Sequence, residues 1–331
     1  MIDIDKIIQE KAKERKAKIV IAEGWDERVL RAVHDLKNMA QFVLLGNPKT
    51  ILENVKKWNL DIGKTEIIDH LKTKEKEELA QKLFELRKEK GLTLPEAQEL
   101  VKDVNYFGCM MVFTGKAEGV ASSVICPTAA IMRPALQILK KKGTLANEFS
   151  VMKDKKNNRV LFMTDGSLNI NPSSEDLANI AKNSAEFVQS LDVTPKVAFL
   201  SFSTKGSGGD GPEVMIVRKA TKLFKEKMPS VICDGEMQFD AATNPYAAGR
   251  KCPDSPLKGD ANILVLPNLT AGNILFHALM QVSDVIMAYG FILGTARPVT
   301  ILGRSTSLEI VKGALLANMM ECNLKADEKH S

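Results

Sequence analysis

The sequence predicts an α/β protein of two domains, each a mostly parallel sheet flanked by helices. Three observations predict it. Short β-branched runs alternate with helical stretches through both halves of the chain, the pattern of parallel sheets covered on both faces, whose ligands bind at the carboxyl ends of the strands. At 331 residues the chain exceeds the ~250–300 residues beyond which one core usually divides. Between Lys140 and Asn158 the composition changes to KKKGTLANEFSVMKDKKNN, a lysine- and asparagine-rich stretch that reads as a domain boundary.

The elements follow in order. The opening MIDIDKIIQEKAKERKAK is a charged amphipathic helix without the apolar centre of a signal peptide. Residues 18–22 (KIVIA) form a strand, 26–37 a helix, 42–45 a second strand, and Asn47-Pro48 starts the next helix. Residues 67–69 make a third strand. A long polar-faced helix runs over 73–90 to Gly91, and LTLPEAQELV begins another with proline in its first turn. Residues 107–113 are apolar all round and therefore buried, 119–125 read as a strand, and 128–142 as a helix stopped at Gly143. Alternation then resumes: strand 160–164, helix 175–191, strand 197–201, helix 212–227, strand 231–234, a helix after Gln238, strand 263–267, helix 271–281. A last strand over 299–302 leads through Gly303 into a helix starting near Ser305.

Composition narrows the function. With 44% hydrophobic residues the chain can bury a sizeable core, and a net charge of +5 from 46 basic and 41 acidic residues is too balanced for a nucleic-acid binder yet suits small anions. Aromatics at 5% argue against base-stacking platforms. No apolar run approaches a membrane span, so a soluble, cytoplasmic protein is expected. Cys109, Cys126, Cys233, Cys252 and Cys322 include no C-x-x-C pair, and His34, His70, His277 and His330 show no H-E-x-x-H spacing; neither a disulfide framework nor a metal site is expected.

Four stretches carry candidate chemistry. In GTARPVTILGRSTSLEIVKG, residues 294–313, Arg304 beside a helix start makes an anion site, since open amides and the helix dipole add to its charge. Glu309 could take a proton, or could close a capping box with Thr306 in the S/T-x-x-E pattern. Arg87, followed by lysines, reads as a solvated cation or an anion ligand; Arg133, in PTAAIMRPAL, reads as an anion ligand or a surface cation packed on its stem. Gly206, Gly208 and Gly211 follow a strand as G-x-G-x-x-G, with Asp234 beyond, which is weakly reminiscent of a dinucleotide fingerprint. Asp234, Glu236 and Asp240 offer acid/base groups, Mg²⁺ ligands or simple helix caps.

Taken together, EGWDERVL, LRKEKGLT, YFGCMMV, MRPALQILK, LSFSTKGS, DGEMQFDAA, PDSPLKGDANILVLPNLTAGN and YGFILGTARPV closely resemble phosphate acetyltransferase over nearly the whole chain. The resemblance implies an isocitrate/isopropylmalate dehydrogenase-like pair of domains, residues 1–145 with 298–331 and residues 146–297, with the active site in the cleft between them, and a homodimer. It implies interconversion of acetyl-CoA plus phosphate with CoA plus acetyl phosphate by direct thiolate attack, with CoA as substrate and no metal or other cofactor. Arg87 and Arg133 then bind the phosphate of the acyl phosphate, Arg304 stabilises charge near the thioester carbonyl, and Glu309 stands where the family has the aspartate that deprotonates the thiol. Ser305, Thr128, Lys205 and Asn273 are candidate contacts to CoA or the cleft. The family's N-D-L-S-R-G is here Thr300 to Ser305 with Gly303 in place of serine, and one residue is lost before Glu309. Its S-G-A-x-H-S/T-T is Ser122 to Thr128, without the glycine and with Cys126 for histidine. The alternatives are a catalytically silent CoA-binding paralogue, a butyryl-transferring enzyme, and an NAD-dependent dehydrogenase.

Overall fold

The structure, a computed structural model, describes residues 2–304 and 306–327. The chain divides into two compact units, Asp5–Lys141 with Thr295–Ser331, and Met1–Ile4 with Lys142–Gly294.

The first unit is built from α1 (Ile4–Lys13), β1 (Lys18–Ile21), α2 (Glu27–Leu36), β2 (Gln41–Leu45), α3 (Pro48–Lys57), β3 (Glu66–Ile68), α4 (Glu75–Arg87), α5 (Leu94–Leu100), α6 (Val104–Phe113), β4 (Gly119–Ser122) and α7 (Thr128–Ile138). The second unit holds β5 (Asn147–Asp154), β6 (Arg159–Thr164), α8 (Ser174–Ser190), β7 (Lys196–Leu200), α9 (Pro212–Lys227), β8 (Ile232–Met237), α10 (Phe239–Thr243), α11 (Pro245–Lys251), β9 (Ile263–Val265), α12 (Leu269–Val282) and β10 (Val285–Leu293). The chain then returns to the first unit with β11 (Val299–Ile301) and α13 (Leu308–Asp327).

The sheet of the first unit has the order β11-β4-β1-β2-β3, with every pairing parallel. Strand alternation sends Val120 to one face and Gly119 to the other. On the second face, Asn318 of α13 lies so close that a Cβ on Gly119 would meet its Oδ1 at 2.1 Å. The Asn318 side-chain amide donates to Val120 O at 3.2 Å and Thr300 Oγ1 at 2.9 Å, so the last helix is anchored to β4 and β11 together. Helix α6 is wholly buried from Asn105 to Val112, as its apolar run predicts, and only Phe113 emerges.

The sheet of the second unit has the order β10-β5-β6-β9-β7-β8. It is mixed: β10 and β6 both run antiparallel to β5, and the other pairings are parallel. The sequence reading assigned no strand to β5 or β10. On one face Phe149 and Phe162 stack at 5.5 Å beneath Phe187 of α8; on the other Met152, Leu161 and Met163 pack with Ala241 and Leu264.

Several expected boundaries move. The strand over 119–125 stops at Ser122 because the next amides turn to a side chain, described below. The helix over 73–90 is α4 followed by a 3-10 turn, Lys88–Lys90, and the helix over 128–142 ends at Ile138. The helix expected from Ser305 begins at Leu308.

Candidate active site in the first unit

Because all five strands of the first sheet are parallel, the segments after β1, β4 and β11 leave it at one edge, where open α/β sheets bind ligands. The segment after β1 carries Glu23 and Arg28. Glu23 is only 2% exposed, and its carboxylate accepts from the amides of Val124 at 2.6 Å, Ile125 at 3.1 Å and Cys126 at 2.6 Å. Three successive amides converging on an anion form a backbone nest, which fixes the loop after β4. Ser123 enters that nest with φ 71°, a left-handed conformation that a β-carbon disfavours. The glycine of the family motif falls at this position. Beside it, Ser122 Oγ donates to Asn105 Oδ1 at 2.5 Å, and Cys126 Sγ lies 3.7 Å from Ser123 Oγ and 3.8 Å from Ser122 Oγ.

Arg28 ties this loop to the one after β11. Its Nη1 donates to the carbonyls of Arg304 at 2.9 Å and Thr306 at 3.1 Å, and its Nη2 to the carbonyl of Val124 at 2.8 Å. Asp26, the N-cap of α2, takes the remaining N–H groups at 3.1 Å each.

The three arginines singled out from sequence all lie in this unit, each related to α7. The loop bearing Arg304 is bonded through Arg28 to Val124, just before the helix; Arg133 sits in its middle; and Arg87 Nη1 reaches the carbonyl of Gln137, in its last turn, at 3.4 Å. Tyr106 lies between the latter two: its hydroxyl donates to Gln137 Oε1 at 2.8 Å, and both guanidinium charges act on it, opposing the burial that raises its pKa. Arg133 and Arg304 are exposed and have no carboxylate partner among the described residues, whereas Arg15, Arg31, Arg159 and Arg218 are each paired. Helix α7 has Pro127 as its N-cap and so no side-chain cap, leaving exposed Thr128 at its open amino end.

Glu309 is 76% exposed and lies 2.9 Å from Lys312 Nζ, which also contacts Asp35 at 3.1 Å. The capping box expected with Thr306 does not form. The Thr306 hydroxyl donates to the carbonyls of Leu302 and Gly303, and Ser307 Oγ accepts from Ile310 N at 3.4 Å instead. Gly303, where the family motif has serine, adopts φ 79°, a left-handed conformation that a side chain disfavours, and a Cβ there would meet Thr306 Cγ2 at 2.7 Å. Ser305 and His330 lie outside the described residues.

Lys205 and Asn273 belong to the second unit. Lys205 pairs with Asp234, and Asn273 Nδ2 approaches the carbonyl of Gly166 at 3.4 Å. The glycine loop is already filled by protein: Gly206 N donates to Glu236 Oε1 at 2.8 Å and Gly208 N to Ser203 Oγ at 2.9 Å. Glu236 in turn binds Arg218 Nε at 2.7 Å, and these donors hold its carboxyl down at about 2 despite burial. The dinucleotide reading fails here, since the amide that would hold a pyrophosphate holds Glu236. The acids read as acid/base groups or Mg²⁺ ligands are each matched to a cation, Asp234 to Lys205, Glu236 to Arg218 and Asp240 to Lys251. Asp165, in the segment after β6, accepts from Leu168 N at 3.0 Å and Asn169 N at 3.1 Å and so shapes its own turn.

Sequence reasoning passed over Glu23, Arg28, Tyr106 and Gln137. The available signal was E-x-x-D-x-R directly after a strand.

Comparison with known proteins decides the family. The sequence pattern of the phosphate acetyl/butaryl transferase family matches residues 3–318. The chain belongs to that family. This transferase is 41% identical over 309 residues to a phosphate acetyltransferase of Thermoanaerobacterium thermosaccharolyticum, covering 91% of the chain and 93% of the relative. It is 39% identical over 313 residues to the phosphate acetyltransferase of Bacillus subtilis, covering 94% and 96%. In structure the transferase is similar to a phosphotransacetylase from Streptococcus pyogenes, with TM-score 0.91, 35% identity, and coverage of 97% of this chain and 99% of the other. The two α/β units are thus the fold of an acyltransferase family, and the guanidinium-rich edge of the first is its candidate active site.

Proposed function

We propose that the protein interconverts acetyl-CoA plus phosphate with CoA plus acetyl phosphate. One observation carries this reading: two exposed guanidinium groups have no carboxylate partner among the described residues, Arg133 in the middle of a helix whose amino end has no side-chain cap and Arg304 on the loop that Arg28 ties to the segment just before that helix. Such a surface favours a phosphate-bearing substrate, because charge-assisted donors and helix amides act together on its oxygens. Arg87 and Arg133 hold phosphate oxygens, while Arg304 faces the charge that develops on the carbonyl oxygen during transfer. The thiol of CoA has a reference pKa near ~8.5 and is mostly protonated at neutral pH, so it needs a base. Glu309 takes that proton; the thiolate sulfur attacks the acetyl carbon, the carbon–oxygen bond to phosphate breaks, and phosphate leaves. No covalent enzyme intermediate is required, and CoA enters as substrate. Thr128, exposed at the amino end of α7, is a candidate contact to CoA.

A homodimer fits the second unit, where α12 leaves Ile274 64% and Val282 84% exposed, apolar area of the kind that a second copy covers. A cytoplasmic location fits a chain in which no described helix is long and apolar enough to cross a membrane.

The test supplies purified protein with CoA and either acetyl phosphate or butyryl phosphate and follows thioester formation together with phosphate release. Thioester from acetyl phosphate, faster than from butyryl phosphate, is expected; none above background removes the enzyme reading. In the same assay Glu309→Gln is expected to lower turnover by about 10²–10⁴-fold, the usual worth of a placed general base, with CoA affinity little changed. Wild-type turnover in that variant leaves Glu309 a surface partner of Lys312.

A further inference from the structure

We infer that Arg28 is a positioning residue for this reaction, setting the place of Arg304 without touching substrate; the inference rests on the role proposed for Arg304. A guanidinium has five N–H donors in a rigid fork. In Arg28 all are engaged within the protein: Nε and Nη2 on Asp26, Nη2 also on Val124 O, and Nη1 on the carbonyls of Arg304 and Thr306. None is left for a substrate phosphate. The acceptors come from three segments that the sheet brings to one edge, those after β1, β4 and β11, and the bond to Arg304 spans 276 positions of sequence.

The bond is made to the backbone of Arg304 itself. It therefore fixes the peptide from which the exposed Arg304 guanidinium projects, and Asp26 fixes the fork in turn, since it caps α2 through Arg28 N at 2.8 Å while binding the guanidinium. The Gly303 turn has no side chain of its own to define it, and the Thr306 hydroxyl closes only onto Leu302 and Gly303. Arg28 supplies the tie from this turn to the loop held by Glu23, so that the α7 entrance and Arg304 share one frame. Lysine cannot replace it, because one ammonium with three donors cannot reach carbonyls of both loops and the Asp26 carboxylate together.

A displacement of the order of 1 Å in a positioning element costs about 10²-fold in rate. The test is a double-mutant cycle on the intact protein, measuring kcat, KM for CoA and for acetyl phosphate, and melting temperature for Arg28→Ala, Arg304→Ala and the pair. Arg28→Ala is expected to lower kcat by about 10²-fold, with KM values changed less than about threefold. The double variant should be no slower than Arg304→Ala alone, because the part Arg28 places is already gone. Losses that multiply in the double variant, or wild-type kcat in Arg28→Ala, overturn the inference. If Arg28→Ala does not fold, Arg28→Lys carries the same cycle, and a folded lysine variant with wild-type kcat overturns it equally. Wild-type kcat in Arg304→Ala removes the role of Arg304, and the inference with it, an outcome distinct from multiplying losses.

Discussion

Replacing Arg304 by alanine is expected to lower kcat for acetyl transfer by about 10²–10³-fold, the usual cost of deleting one donor aimed at a developing oxyanion. Stability should hardly respond. The side chain is exposed and makes no ion pair among the described residues, and surface substitutions away from such features usually stay within about 0.5 kcal/mol. A steady-state assay beside a thermal melt separates the two. A large fall in melting temperature with unchanged kcat would make Arg304 structural.

Glu23→Ala is expected to do the opposite, lowering stability and activity together. Its carboxylate is buried and accepts three amides, and hydrogen bonds to charged groups contribute about 1.5–3 kcal/mol each in favourable cases. Water entering the space recovers part of this, so the net cost is expected at about 2–4 kcal/mol, read as a lower denaturant midpoint at unchanged slope. Turnover in the remaining folded protein should fall as well, because the nest holds the loop that leads into α7. A midpoint equal to wild type would mean that the amides of Val124 to Cys126 find other partners.

The sequence made some of this legible and hid the rest for identifiable reasons. Helix α9 was readable to the residue, because Gly211 and Pro212 mark its start and helical periodicity carries it to Lys227. Strand β5 was not. Its edges are lysine-rich, and its interior contains Asn147, Glu148 and Ser150, polar residues that look like a loop until their partners are known. Asn147 accepts from Asn183 at 2.9 Å, while Glu148 binds Ser150 and the amide of Gly166, burial pushing its carboxyl up to about 7. Missing β5, the reading also missed β10, which pairs with it, and the antiparallel half of the second sheet with both.

The site divides along the same line. Arg87, Arg133 and Arg304 stand out as candidates because they lie in stretches that resemble the family's motifs, although the residues beside them leave a surface cation equally open. For Glu23 and Arg28 the E-x-x-D-x-R pattern after a strand marks the residues but not their roles, since what they hold lies about a hundred and more than two hundred residues away. The capping box at Thr306 and Glu309 was a sound local pattern defeated by the Gly303 turn, which draws the Thr306 hydroxyl back to Leu302 and starts the helix at Leu308. Local patterns nominated the candidate ligands; the groups that tie their loops together show only in the fold.

The central claim is that the exposed guanidinium groups of Arg133 and Arg304 receive the substrates. Arginine-directed dicarbonyl labelling, mapped by mass spectrometry with and without CoA and acetyl phosphate, tests it most directly. Arg133 and Arg304 should label readily in the free protein and be protected by substrate, with paired Arg31 unchanged. Equal labelling of Arg133 and Arg304 in the presence of saturating substrates, in protein that is turning over, would contradict it.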